Sequence, residues 1–181
     1  MDVQLIIKNI KQKQQNGDTL LIAIDGRSGS GKSYLAEQIK NQLPNVKIIP
    51  LDVFGMYDGK VSSERVIDEV ITPLKNNQVA NYRGYEKGYE SEHYSIKPGG
   101  IVILDGIFAL NSDLESYYNY KIWVECPPRI GHKRGVARDA KLSGVDSSDR
   151  WLNYWMPKEE EYIKSEKPQK KADYIVDGTT F

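Results

Sequence analysis

The sequence predicts an α/β fold in which a parallel five-stranded sheet is flanked by helices and carries a small helical lid. Three observations lead there. Five short apolar runs alternate with segments of helical spacing. The runs are continuous rather than alternating, as strands buried on both faces require. Three of them end in an aspartate, Asp25, Asp52 and Asp105. Strand and helix in alternation imply right-handed crossovers and a sheet covered on both sides. Ligands of such sheets gather beyond the carboxyl ends of the strands, where the three acids fall.

In chain order, Met1 to Gln15 places Val3, Ile6, Ile7 and Ile10 among Lys and Gln, an amphipathic helix rather than a signal peptide. Thr19 to Ile24 is the first strand, and Ser33 to Leu43 is a helix stopped by Pro44. Val46 to Leu51 is the second strand. Ser62 to Lys75 is a helix with Val66, Ile67, Val70 and Leu74 on one face, capped by Ser62 or Ser63 and shortened by Pro73. Gln78 to Pro98 is polar and reads as a loop or an irregular hairpin. Ile101 to Leu104 and Tyr120 to Glu125 are the third and fourth strands. Helices follow over about 129–142 and 147–164, broken at Gly144, and Asp173 to Val176 is the last strand.

The chain has 181 residues, which suits one domain, 1–181, with the lid at about 129–165. Its 25 Lys and Arg balance 25 Asp and Glu. Zero net charge without a polybasic run excludes binding by phosphate neutralisation of nucleic acid or of an anionic membrane. A homo-oligomer stays open. A single cysteine, Cys126, cannot form an internal disulfide, and His93 and His132 stand too far apart in sequence to suggest zinc. With no apolar run near the ~20 residues that span a bilayer, the expected setting is the cytoplasm.

The segment Gly26, Arg27, Ser28, Gly29, Ser30, Gly31, Lys32, Ser33 matches G-x-x-x-x-G-K-[ST] between a strand and a helix. It makes the fold class that of a P-loop NTPase. Its backbone N–H groups cradle phosphates, Lys32 bridges the outer ones, and the Ser33 hydroxyl faces Mg²⁺. Asp105 is placed as the strand-end carboxylate that holds Mg²⁺, and Asp52 as the acceptor of a proton from an attacking hydroxyl. A turn or cap role is the alternative for each. Arg134 and Arg138, four apart on a basic helix with Arg129 and Lys133, suit a lid that neutralises phosphate charge, the alternative being a solvated face. Tyr82, Arg83 and Tyr85, with Tyr89, suit stacking on a small polar acceptor, or else surface and core. Trp151 and Trp155 read as core-facing positions of the lid.

The order IAIDGRSGSGKS, LDVF, NYRGYE, IVILDGIFAL, KIWVECPP, RGVARD, KKADYIVDG resembles the uridine kinase and phosphoribulokinase branch of P-loop small-molecule kinases. The resemblance implies an ATP-Mg²⁺-dependent transfer of the γ-phosphate to a hydroxyl, most simply of uridine or cytidine. It implies Asp52 as the base, Asp105 as a Mg²⁺ partner, Arg134 and Arg138 facing ATP phosphates, and the KKADYIVDG ending near adenine. Three departures touch the acceptor and the lid. Gly55 stands where the family has an aromatic residue, Met56 to Val61 replaces a longer insertion with a ribose-binding acid, and Gly144-Val145-Asp146 lacks the lid-turn arginine. Two readings compete: another small alcohol as acceptor, or a P-loop ATPase or nucleotide switch without one. The guanine-reading N-K-x-D is absent.

Overall fold

The computed structural model describes residues 3–14, 17–57, 60–86 and 89–181, with backbone alone at 56–57, 60, 85–86 and 89–91. Its centre is β1 (Thr19–Gly26), a run so apolar that Leu21, Ile22, Ala23 and Ile24 have no exposed surface. On one side β1 pairs with β5 (Gly100–Asp105), and β5 with β2 (Val46–Pro50). On the other it pairs with β6 (Tyr120–Glu125), and β6 with β7 (Tyr174–Asp177). All four pairings are parallel, and the order is β2-β5-β1-β6-β7. A sheet of this kind hides both faces, which explains why its strands lack the apolar-polar alternation of half-exposed ones.

The two faces carry separate cores. Leu20, Ile22 and Ile24 of β1 meet Ile6, Ile7 and Ile10 of α1 (Val3–Lys13) and Leu35 and Ile39 of α2 (Lys32–Gln42). Leu21 and Ala23 meet Val66, Val70 and Leu74 of α3, residues 63–75, together with Tyr82 of a hairpin, β3 (Ala80–Glu86) and β4 (Tyr89–Ile96). Each large aliphatic side chain so hidden contributes about 1.5–3 kcal/mol.

Several local expectations change. α3 continues through Pro73 to Lys75 instead of stopping, because the helix widens into a π turn over Ile67–Ile71. A proline ring collides with the carbonyl four residues back, here Glu69, and the wider turn moves that carbonyl aside. The same device recurs in the lid: the π turn Trp151–Trp155 contains Asn153, four residues before Pro157. Ser62 sits at the N-cap of α3 without a capping side-chain hydrogen bond. Of the two alternatives expected for the polar segment, the irregular hairpin is found: residues 80–86 and 89–96 pair antiparallel with a register shift between Arg83 and Tyr85. The lid consists of α4 (Pro128–Ser143), ended by Gly144 at φ 71°, and α5, residues 148–166. Among the described residues no helix is long and apolar enough to cross a membrane.

Candidate active site

β1 ends at Gly26 and α2 begins at Lys32, so Gly26–Ser33 turns through the carboxyl edge of the sheet. Gly31, at the N-cap of α2, has φ 101°, and Gly29 has φ 74°. A β-carbon would be strained at either. It would also strike the Phe181 ring from Gly31, and the Gly131 carbonyl of α4 from Gly29. The loop is therefore seated directly against the lid. Lys32 is buried, and its Nζ donates to the carbonyls of Gly26 and Arg27, both at 2.9 Å.

Ser33 Oγ donates to Asp105 Oδ2 at 2.6 Å. Asp105 is 5% exposed, and its other oxygen, Oδ1, is buried with no hydrogen-bond partner. Burial pushes its carboxyl above the usual range, Lys32 and the Ser33 hydrogen bond pull it back, and Asp52 adds to the rise. A hydroxyl and a carboxylate oxygen left without a donor are a hard-cation donor set, so the pair fits Mg²⁺, which binds few protein oxygens and completes its shell with phosphate and water. Among the described residues no group of three or more His, Cys, Asp or Glu gathers to hold a metal by itself, here or elsewhere.

Asp52 is exposed in the short 3₁₀ turn after β2, Leu51–Phe54. It faces the same cavity, about 600 Å³, as Ser28, Lys32, Ser33 and Asp105. The lid covers this cavity with Arg134, Arg138, Trp155 and Glu159. Both arginines line it, but their guanidinium groups lie elsewhere than on the loop. Arg134 donates to the carbonyls of Gly178, Thr179 and Phe181 at 2.6–2.9 Å, and Arg138 pairs with its neighbour Asp139 at 2.9 Å. The expected acceptor residues are displaced further. Tyr82 is stacked on Tyr94 at 5.0 Å and lies 5.2 Å from Phe54, since the inward side of the hairpin feeds the core. Burial pushes its phenol up to about 12. Arg83, on the opposite side of that strand, is exposed. Neither lines the cavity. The side chains of Tyr85 and Tyr89 lie outside the described residues.

Asp25, the third strand-end acid, does not face the cavity. It is fully buried and accepts from the N–H of Gly26 (2.6 Å), the N–H of Leu110 (2.8 Å) and Tyr162 Oη (2.6 Å). Burial raises its pKa to about 6 against the pull of these donors. It is a joint between β1, the loop after β5 and α5. Sequence reasoning also missed Glu159, 5% exposed, whose Oε1 accepts from the Ser28 N–H at 3.1 Å. The signal was present: Trp151, Trp155, Glu159 and Tyr162 recur at spacings of four, four and three, one face of a helix.

No family model matches the chain. A uridine kinase of Latilactobacillus sakei subsp. sakei (strain 23K) is 26% identical over 180 residues, covering 87% of this chain and 84% of that protein. The Arabidopsis thaliana inorganic pyrophosphatase TTM2 is 27% identical over 147 residues, 72% of this chain, and the chain spans only 21% of its length. A structure described as a possible uridine kinase from Bacillus stearothermophilus superimposes with a TM-score of 0.73 at 18% identity, over 97% of both chains. The P-loop, the paired Ser33 and Asp105, the sheet order and these relatives agree: the chain is similar in sequence to proteins named uridine kinase and shares its fold with the solved structure.

Proposed function

We propose that the chain transfers the γ-phosphate of ATP, with Mg²⁺, to a hydroxyl of a small polar acceptor, a nucleoside such as uridine or cytidine. The observation that supports this most is the meeting of Lys32, Asp52 and the Ser33–Asp105 pair in one cavity under a two-helix lid. The acceptor oxygen attacks the γ-phosphorus, the bond to the bridging oxygen of ADP breaks, and Asp52 takes the acceptor proton. Ser33 and Asp105 would hold Mg²⁺, which would supply neutralisation of phosphate charge when bound. Lys32 turns from its two loop carbonyls to the outer phosphates, and Arg138 needs only to leave Asp139 to face them. Val61, Phe108 and Trp155 give the acceptor side apolar walls suited to a base. The relatives named uridine kinase support the nucleoside.

The test is ADP release from Mg-ATP with uridine, cytidine, sugars and small hydroxy acids offered singly. Stimulation by uridine or cytidine is the expected result. Stimulation by another alcohol alone removes the nucleoside assignment, and ADP formation indifferent to every acceptor replaces transfer with simple hydrolysis.

A further inference from the structure

Glu159 joins the lid to the nucleotide loop through a single peptide group. The Ser28 N–H donates to Glu159 Oε1 at 3.1 Å, and the carbonyl of that same peptide, Arg27 O, accepts from Lys32 Nζ at 2.9 Å. The next residue of α5, Glu160, pairs with Arg27 at 2.8 Å. Backbone N–H groups of such a loop turn toward anionic oxygens. At Ser28 the anionic oxygen is supplied by the protein itself, from a side chain that is 5% exposed and lines the cavity. Lysine of this motif reaches the outer phosphates, so the peptide it touches stands at the outer-phosphate end of the cradle.

One N–H does not serve a carboxylate and a phosphate oxygen together, and two anions held side by side away from water repel strongly. We infer that Glu159 discriminates nucleoside triphosphate from diphosphate. It occupies the Ser28 N–H and holds α5 down while the terminal phosphate position is free. It leaves when that phosphate arrives, and returns after transfer, when ADP no longer reaches Ser28. This rests on the reading of Gly26–Ser33 as the ATP site. Glu159 is thereby a specificity-determining residue that does not take part in bond making.

The test measures the dissociation constants of Mg-ADP and of a non-hydrolysable Mg-ATP analogue by calorimetry, for the intact chain and for Glu159→Gln, which keeps the shape and removes the charge. Trp151 and Trp155, on the same helix face, provide a fluorescence signal for lid movement. Charged hydrogen bonds are roughly twice as strong as neutral ones, so the triphosphate analogue should bind about tenfold tighter to the variant and ADP should change less than twofold. Glu159→Ala should move the ratio in the same direction. An unchanged ratio in both variants, or weaker triphosphate binding, overturns the inference. If the intact chain binds neither nucleotide, or Lys32→Ala binds them equally well, the ATP-site reading falls first and the inference with it.

Discussion

Tyr162→Phe removes one oxygen and keeps the ring that packs edge-on against Phe108 at 4.7 Å. The lost atom donates a 2.6 Å hydrogen bond to the fully buried carboxylate of Asp25, and it is the strongest of the interactions that hold that carboxyl below where burial alone would push it. A hydrogen bond to a charged, desolvated group is worth about 1.5–3 kcal/mol. For a chain of this length that is roughly 3–12 °C in Tm. The dependence on pH gives the sharper test. The native pKa of Asp25 is about 6, above its ordinary 3.8. The stability it contributes is therefore fully present below pH 3.8 and is lost as pH rises through 6, a loss of about 3 kcal/mol at 1.36 kcal/mol per unit. In the variant the native pKa lies higher still, so the loss on going from pH 4 to pH 8 is larger. Urea unfolding of both proteins across that range should show the gap widest above pH 7 and narrowed near pH 4 to the worth of a neutral bond, about 1 kcal/mol. A gap that stays constant with pH, or none, refutes the assignment of Asp25 as an ionised joint between strand and lid.

Three further predictions concern the lid and the loop. Gly135→Ala drives a β-carbon into collision with the edge of the Trp151 indole, which is 3% exposed, and overpacking of about 1–3 kcal/mol outweighs the ~1 kcal/mol gained from helix propensity; urea unfolding should show a net loss, and a stabilised variant contradicts the α4–α5 packing. Ser33→Ala should raise the Mg²⁺ concentration for half-maximal ADP release about tenfold, because Mg²⁺ tolerates few protein ligands and loses one of two; an unaltered Mg²⁺ titration removes Ser33 from the metal site. Lys32→Ala should weaken ATP binding by about tenfold or more through loss of a cation to phosphate, with Tm held near the parent value; calorimetry and thermal unfolding together check it.

The sheet was legible in the sequence because strands hidden on both faces must be apolar throughout, as TLLIAI and IVIL are. The P-loop was legible because fixed glycine and lysine spacing is a backbone requirement rather than a packing outcome. The destination of long polar side chains was not. Arg134 is satisfied by three carbonyls more than forty residues away, and Tyr82 is claimed by Phe54 and Tyr94 across the hairpin. Such partners are chosen by tertiary contact, to which local spacing is blind. Asp25 makes the point from the other side. It shares its strand-end position with Asp105 yet points away from the cavity, because Tyr162 and the Leu110 N–H reach it from elements far along the chain. The π turns escaped for a related reason: proline predicts that a helix stops, whereas tertiary burial of Leu74 and Tyr162 keeps each helix going and the turn absorbs the collision.

Asp52 and Asp105 line the cavity and Asp25 does not; of the two, Asp52 is the one proposed to take the proton of the reacting hydroxyl. Single-turnover transfer from γ-labelled Mg-ATP to uridine tests that role most directly, comparing the parent chain with Asp52→Asn at matched ATP saturation. The parent should label the acceptor, and the variant should lose roughly 10²–10⁴ in rate, as for removal of a general base, with no change in ATP affinity. Full transfer by Asp52→Asn, or loss of ATP affinity equal to the loss of rate, contradicts that role.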